Sequence, residues 1–340
     1  MHHLLRFAVA GFIVTCASVS LAWDYDAHRA VNQLALGALP ADFPAFVRTP
    51  PAPERIAFLS GEPDRWRNAG DLALRHGNGP DHYFDVEGLA DYDLKPQSLP
   101  PFRYDFVASL ALFRAAHPAK FTAPPSGRNE DHTRELLGLL PWALAEQYGK
   151  LKSAFAYLRV LQADGTPEEI TNAQANVIYV MGVMGHLAGD AVQPLHTTVH
   201  HHGWTGANPH GYSTNYGIHE LIDGGFFAAT GGLDAAKLRA GVRPAQTLKD
   251  AGKGVEVFAS IVDVIVRQNQ LVEPLYQLEK EGKLSAAGPA SAEGRAFLEK
   301  QIRAGAELLA DLWLSAWQHA PEDTYLKKKL GERKAAAAAR

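Results

Sequence analysis

The chain has 340 residues, 46% of them apolar and 21% charged, with a formal net charge of −4. That suits a soluble globular protein with one sizeable core or two smaller ones. It excludes a global electrostatic attraction to polyanions, and no internal stretch approaches the roughly 20 apolar residues that a bilayer-spanning helix needs.

Residues 1–22 read as a signal peptide. Met1 to Arg6 form a short basic n-region, Phe7 to Leu21 are apolar, and Ser20-Leu21-Ala22 is a small-x-small cleavage site. Cleavage after Ala22 leaves Trp23 at the N-terminus and makes the protein secreted or periplasmic. The only cysteine, Cys16, leaves with the peptide, so the mature chain has no disulfide or thiolate chemistry. Arg6 leaves too, which takes the net charge from −4 to −5. Any nucleic acid must then be held by local charge.

From Trp23 a helical pattern runs to Ala38, and a second helix covers Glu54–Leu59. A turn over 60–67 carries Asp64, Arg65 and Arg67. Residues 68–100 are rich in Gly, Pro and Asp and read as a long ordered loop, a length that implies function or a tether. Helices are expected at 102–117, 132–149 and 150–163. Thr166-Pro167-Glu168-Glu169 is a capping-box start with Pro at the first helical position, and it opens a long buried helix over 167–192. A Gly-, His- and Asn-rich loop follows over 197–214. Helices are then expected at 215–229, 233–240, 247–280 and 292–318. Period-2 strand patterns are nearly absent. The prediction is one all-α domain over 23–326, followed by a basic, Ala-rich tail over 327–340 expected to be a frayed helix or disordered.

The end of the long helix carries the chemistry. His186 and Asp190 stand four residues apart and share a face. Pro194 stops the helix, so His196 approaches from another direction. Two imidazoles and a carboxylate converging on one region suit Zn²⁺, which takes His nitrogen and Asp oxygen. Twenty-three residues after His196, His219 and Asp223 repeat the i,i+4 spacing. Earlier in the chain the candidate ligands are Trp23, His28, Asp64 and His82.

With these nine residues in this order, the chain resembles the zinc-dependent single-strand-specific nucleases (type I nucleases), which share a fold with bacterial zinc-dependent phospholipase C. The resemblance spans residues 23–223. It implies a compact multi-helix domain around a cluster of three Zn²⁺. Asp64, His82, His186 and Asp190 would hold the first zinc, and His196, His219 and Asp223 the second. The third would be held by the amine and carbonyl of Trp23, by His28, and by Asp190 bridging from the first. The implied reaction is in-line attack of zinc-activated water on single-stranded DNA and RNA, leaving 5′-phosphates, together with removal of 3′-phosphates. Asp64 would also orient the water, and Arg67 stands where the nucleases have a phosphate-contacting Lys. The implied partners are single-stranded nucleic acid or a nucleotide, with a phospholipid head group as the other substrate class. Stable membrane insertion is not implied, and the protein would act as a monomer.

Two features depart from the family pattern. Gly224-Gly225 follow Asp223 where the nucleases have a phosphate-binding Asn, and the family's disulfides are missing. Plainer readings stand beside the functional ones. Trp23 could anchor the first helix, Asp64 and Arg67 could be a surface ion pair, and His200, His201, His202 and His210 read best as a solvated loop at the cleft rim. Trp204 and Tyr212 could stack a base or pack that loop down. A non-catalytic zinc-binding protein is the reading from a different class.

Overall fold

The structure, a computed structural model, describes residues 25–125, 127, 129–285 and 291–339. Trp23 and the expected signal peptide over 1–22 lie outside the described residues. The described part is all-α, as predicted; its β pairing is a single antiparallel bridge between Phe84 and Gly138.

The elements follow one another as α1 (Tyr25–Ala38), α2 (Ala52–Leu59), α3 (Glu62–Arg67), α4 (Leu72–Asn78) and α5 (Arg103–Ala116). Next come the two long helices α6 (Leu140–Asp164) and α7 (Pro167–Asp190). A short α8 (Ile218–Glu220) runs through a π-turn (Leu221–Gly225) into α9 (Phe226–Ala229), and α10 (Ala235–Leu238) follows. The chain closes with α11 (Val255–Asn269), α12 (Val272–Lys280), α13 (Ser291–Gln318) and α14 (Thr324–Ala338).

Helix α7 is the axis of the packing, touching α1, α2, α6 and α13. Its start is built as its sequence dictates. The Thr166 hydroxyl accepts from Glu169 N, and the Glu169 carboxylate accepts from Thr166 N. Its second half is buried on all sides from Met181 to Asp190. Three glycines on this half let α1 and α2 lie close. A Cβ at Gly182 would stand 2.5 Å from Leu59 Cβ, one at Gly185 1.5 Å from Asn32 Oδ1, and one at Gly189 2.7 Å from His28 Nδ1. Asn32, fully buried, donates to Ile56 O at 2.8 Å and Gly182 O at 3.0 Å, tying the three helices together. The glycine face therefore sets how near His28 comes to Asp190.

Several elements differ from the sequence expectation. The two helices expected at 132–149 and 150–163 are one helix, α6, which starts only at Leu140 with Pro141 in its first turn. Gly149 does not break it, because Tyr148, Leu151, Phe155 and Leu158 keep one buried stripe across it. Residues 129–139 instead run alongside the His82 segment: Asp85 N donates to Leu137 O at 2.7 Å, and Gly138 takes φ +91°. A Cβ at Gly138 would stand 2.0 Å from Tyr83 O, so only glycine permits this pairing. The turn over 60–67 is helical. The loop over 68–100 holds α4 and 3₁₀ turns at Gly79–His82, Val86–Tyr92 and Pro96–Ser98. The helix expected over 247–280 starts at Val255 and breaks between α11 and α12. The residues before it lie outside any helix and are anchored at Asp250, which accepts from Tyr148 Oη and Lys152 Nζ at 2.7 Å each.

The tail takes the helical one of its two expected forms. Residues 324–338 form α14, capped by the Asp323 carboxylate accepting from Leu326 N. Leu330 is buried, and Arg333 and Lys334 pair with Glu169 and Asp164 at the α6–α7 corner, each at 2.6 Å. Its Ala, Lys, Arg and Glu are strong helix formers, and this local preference decides once the corner offers partners.

Candidate metal centre

The eight candidate ligands among the described residues are placed by seven elements. His28 comes from α1, Asp64 from α3 and His82 from the 3₁₀ turn before Phe84. His186 and Asp190 come from α7, His196 from the 3₁₀ turn Pro194–Thr197, and His219 from α8. Asp223 comes from the π-turn, a local widening that often marks a functional position. Seven of the eight are less than 9% exposed, and His219 is slightly more open. They converge on one region and fall into three groups, the first two sharing His186: His28, His186 and Asp190; Asp64, His82 and His186; and His196, His219 and Asp223. Three buried His/Asp groups that could hold metal ions are thus present. The ligand role expected of Trp23 lies outside the described residues.

The hydrogen bonds fix which atoms face inward. His186 Nδ1 lies 2.7 Å from Ser60 O and His196 Nδ1 lies 2.6 Å from His82 O. A carbonyl oxygen only accepts, so both Nδ1 atoms carry the proton and both Nε2 atoms present lone pairs to the site. His186 Nε2 then faces His82 Nδ1 at 3.0 Å, and His196 Nε2 faces His219 Nε2 at 3.1 Å. Buried nitrogens face one another this closely only with a proton or a cation between them.

Asp190 is the hub. Its Oδ2 lies 3.1 Å from His82 Nδ1 and 3.3 Å from His186 Nε2. Its Oδ1 lies 3.5 Å from His28 Nε2 and 3.6 Å from His196 Nδ1. Asp64 Oδ1 closes the second group, 3.8 Å from His186 Nε2 and 3.9 Å from His82 Nδ1. In the third group His219 Nε2 is 3.0 Å from Asp223 Oδ2, and His196 Nε2 is 3.9 Å from Asp223 Oδ1. Four ligands about 2.0–2.1 Å from one tetrahedral ion stand about 3.3–3.4 Å apart. These spacings bracket that value.

Unpartnered atoms sharpen the fit. Both nitrogens of His28, His82 Nε2, Asp190 Oδ1 and His219 Nδ1 are buried without a hydrogen-bond partner. Such groups cost free energy unless something compensates them. Burial is the main force on the imidazoles. It pushes His28, His82 and His196 well below the usual histidine range, helped by neighbouring imidazoles and Arg67, so they are neutral ligands at neutral pH. Burial also acts to lower His186 and His219, but Asp190 with Asp64 and Asp223 respectively outweigh it and hold them up. Burial raises Asp190 despite His186. Three buried carboxylates among mostly neutral imidazoles are short of positive charge, and divalent cations supply it.

The centre opens on a cleft of about 340 Å³ whose lining includes Arg67, Tyr83, Asp85, Arg134, His201 and His202. Arg67 Nη2 is 2.8 Å from Asp64 Oδ1, an ion pair that keeps the guanidinium at the edge of the second group rather than on open surface. Of the loop histidines, His201 and His202 line the cleft. His200 is stacked on Trp204 at 4.0 Å and faces away from it. Trp204 and Tyr212 pack on each other and on Tyr276 of α12, so they hold the loop down rather than offer a free stacking face.

Two residues at the site had escaped the sequence reading. Asp85 is half-buried with Oδ1 unpartnered, and burial together with Glu87 pushes its carboxyl up to about 7. Its only signal was an acid three residues after His82 in an ordered segment. Gln193 is fully buried between Asp190 and His196, and a Gln directly before the helix-stopping Pro194 was its trace. No known family model matches the chain, and no curated protein matches it either.

Proposed function

We propose that the protein is a zinc-dependent phosphoester hydrolase with three metal ions, acting on single-stranded nucleic acid and on 3′-nucleotides. The observation that carries this reading is the set of facing imidazole nitrogens around Asp190, with Asp190 Oδ1 unpartnered, beside a cleft lined by His196, His219 and Arg67. A pure structural metal site has its coordination closed by protein, whereas this one borders a cavity.

His28 and Asp190 would hold one zinc, Asp64, His82, His186 and Asp190 a second, and His196, His219 and Asp223 a third. Zinc bound there supplies a Lewis acid and lowers the pKa of water from 15.7 towards about 7. The chain's own groups do the rest. Arg67 is placed to grip a non-bridging phosphate oxygen with a planar, always charged donor fork. Asp64, pinned by that same guanidinium, orients the attacking water. Asp85 Oδ1 offers an acceptor to a donor group of the substrate on the cleft wall. The guanidinium groups of Arg67 and Arg134 stand in the cleft beside the carboxyl groups of Asp85 and Asp131, so a phosphate would be met by individual guanidinium contacts and not by a net positive lining.

A second reading rests on a separate observation. An apolar hollow of about 360 Å³, lined by Tyr25 and Phe58, reaches His28 and Asp64. It favours a substrate with an apolar group near the phosphate, as in a phospholipid. The test is a side-by-side assay of zinc-loaded protein on single-stranded DNA, RNA, a 3′-nucleotide and phosphatidylcholine. Hydrolysis of the nucleic acids to 5′-phosphates, abolished by a chelator, is the expected result. Turnover of the lipid alone, or of nothing, overturns the nuclease reading.

A further inference from the structure

Gln193 is fully buried at the point where α7 gives way to the 3₁₀ turn that carries His196. Both ends of its amide are used. Leu195 N donates to Oε1 at 2.5 Å. A backbone N–H can only donate, so this contact fixes which end of the amide is oxygen and turns Nε2 the other way. Nε2 donates to Asp223 Oδ1 at 2.6 Å, across thirty residues of chain.

The consequence falls on Asp223. With Oδ1 engaged by Gln193, the other oxygen, Oδ2, is the one turned to the group's imidazoles, 3.0 Å from His219 Nε2. Asp223 sits on the π-turn, where the regular α-helical ladder is interrupted. Its position therefore depends on what holds its side chain. Gln193 belongs to the same short segment as His196, the other long-range member of this group. It thus sets the distance between the turn carrying His196 and the turn carrying Asp223.

We propose that Gln193 is the positioning residue of the His196–His219–Asp223 group. By selecting which Asp223 oxygen faces inward, it sets that group's affinity for its cation independently of the two groups around His186. The inference rests on the metal-centre reading above and adds to it a residue that contacts no metal. Outer partners that orient a ligating carboxylate typically change metal affinity by about 10- to 100-fold when removed.

The test uses the full chain with Gln193→Glu and Gln193→Met. Glu keeps an acceptor for Leu195 N but replaces the donor to Asp223 by a second carboxylate; Met keeps the bulk and removes both bonds. Zinc stoichiometry is measured by mass spectrometry of the metal, and stepwise affinity by competition with a chromophoric chelator. The inference expects both variants to weaken one zinc equivalent by about 10- to 100-fold and leave the others at wild-type affinity. Wild-type affinity for every equivalent in both variants overturns it, as does an equal weakening of all of them, which would mark Gln193 as a general prop. Wild-type protein that binds no zinc overturns the metal reading itself, and this inference with it.

Discussion

Gly189→Ala tests whether the close approach of α1 to α7 is what builds the centre. The added methyl would stand 2.7 Å from His28 Nδ1 and 3.0 Å from His28 Cε1. An ordinary contact is 3.4 Å or more, so the ring must retreat by roughly 0.5–1 Å, within the range where overpacking costs about 1–3 kcal/mol. Alanine is better than glycine inside a helix by about 0.8–1 kcal/mol. The net loss of fold stability is therefore about 0–2 kcal/mol, too little to unfold a typical domain. The ligand set fares worse. His28 Nε2 already sits 3.5 Å from Asp190 Oδ1, and its ring stacks on His186 at 3.8 Å, so it cannot retreat without leaving Asp190. The account expects metal-free G189A to unfold in urea close to wild type, while zinc titration shows one equivalent weakened by at least about 10-fold. A control, Gly149→Ala, meets nothing within 4 Å at an exposed position of α6 and should stabilise by about 0.8–1 kcal/mol with zinc binding unchanged. Full zinc affinity in G189A would refute the argument that the glycine face positions His28.

Two further predictions concern the cleft. The Asp85 carboxyl, raised from 3.8 to about 7, keeps its proton to higher pH in the folded chain than in the unfolded one. Its contribution to stability is therefore full below about pH 4 and is lost as pH rises towards 7, by on the order of 2–4 kcal/mol. Asp85→Asn should flatten that part of the pH dependence in urea unfolding of the metal-free protein; an unchanged slope would contradict the buried, unpartnered carboxyl. Arg67→Ala should lower kcat/KM on single-stranded DNA by at least about 100-fold with zinc content intact, and Arg67→Lys should recover only part, because an ammonium cannot grip two oxygens at once. Unchanged kcat/KM in R67A would return the Asp64–Arg67 pair to a structural role.

What the sequence made legible was local. Thr166, Pro167 and Glu169 announce α7, and His186 and Asp190 share its face by spacing alone. The eight described candidate ligands could be gathered because each sits in a short motif whose order along the chain is informative. What could not be read depends on distant partners. Residues 132–139 were expected to begin a helix, but Gly138 pairs with Phe84 and Asp85 bonds Leu137, so that segment walls the cleft instead. Whether Trp204 and Tyr212 face a substrate or the protein was settled by Tyr276, more than sixty residues on. The tail needed Glu169 and Asp164 to become α14. Asp85 and Gln193 have unremarkable sequence surroundings, and only burial without a partner, or a bond across thirty residues, marks them.

The central claim is that Asp190 serves two metal positions at once, with Oδ1 turned to His28 and Oδ2 to His82 and His186. Metal analysis of wild-type protein and Asp190→Ala, both purified and dialysed against zinc, tests it directly. The account predicts three zinc equivalents in the wild type and a loss of two in the variant, with the His196–His219–Asp223 equivalent retained. Loss of one equivalent or none in Asp190→Ala would contradict it.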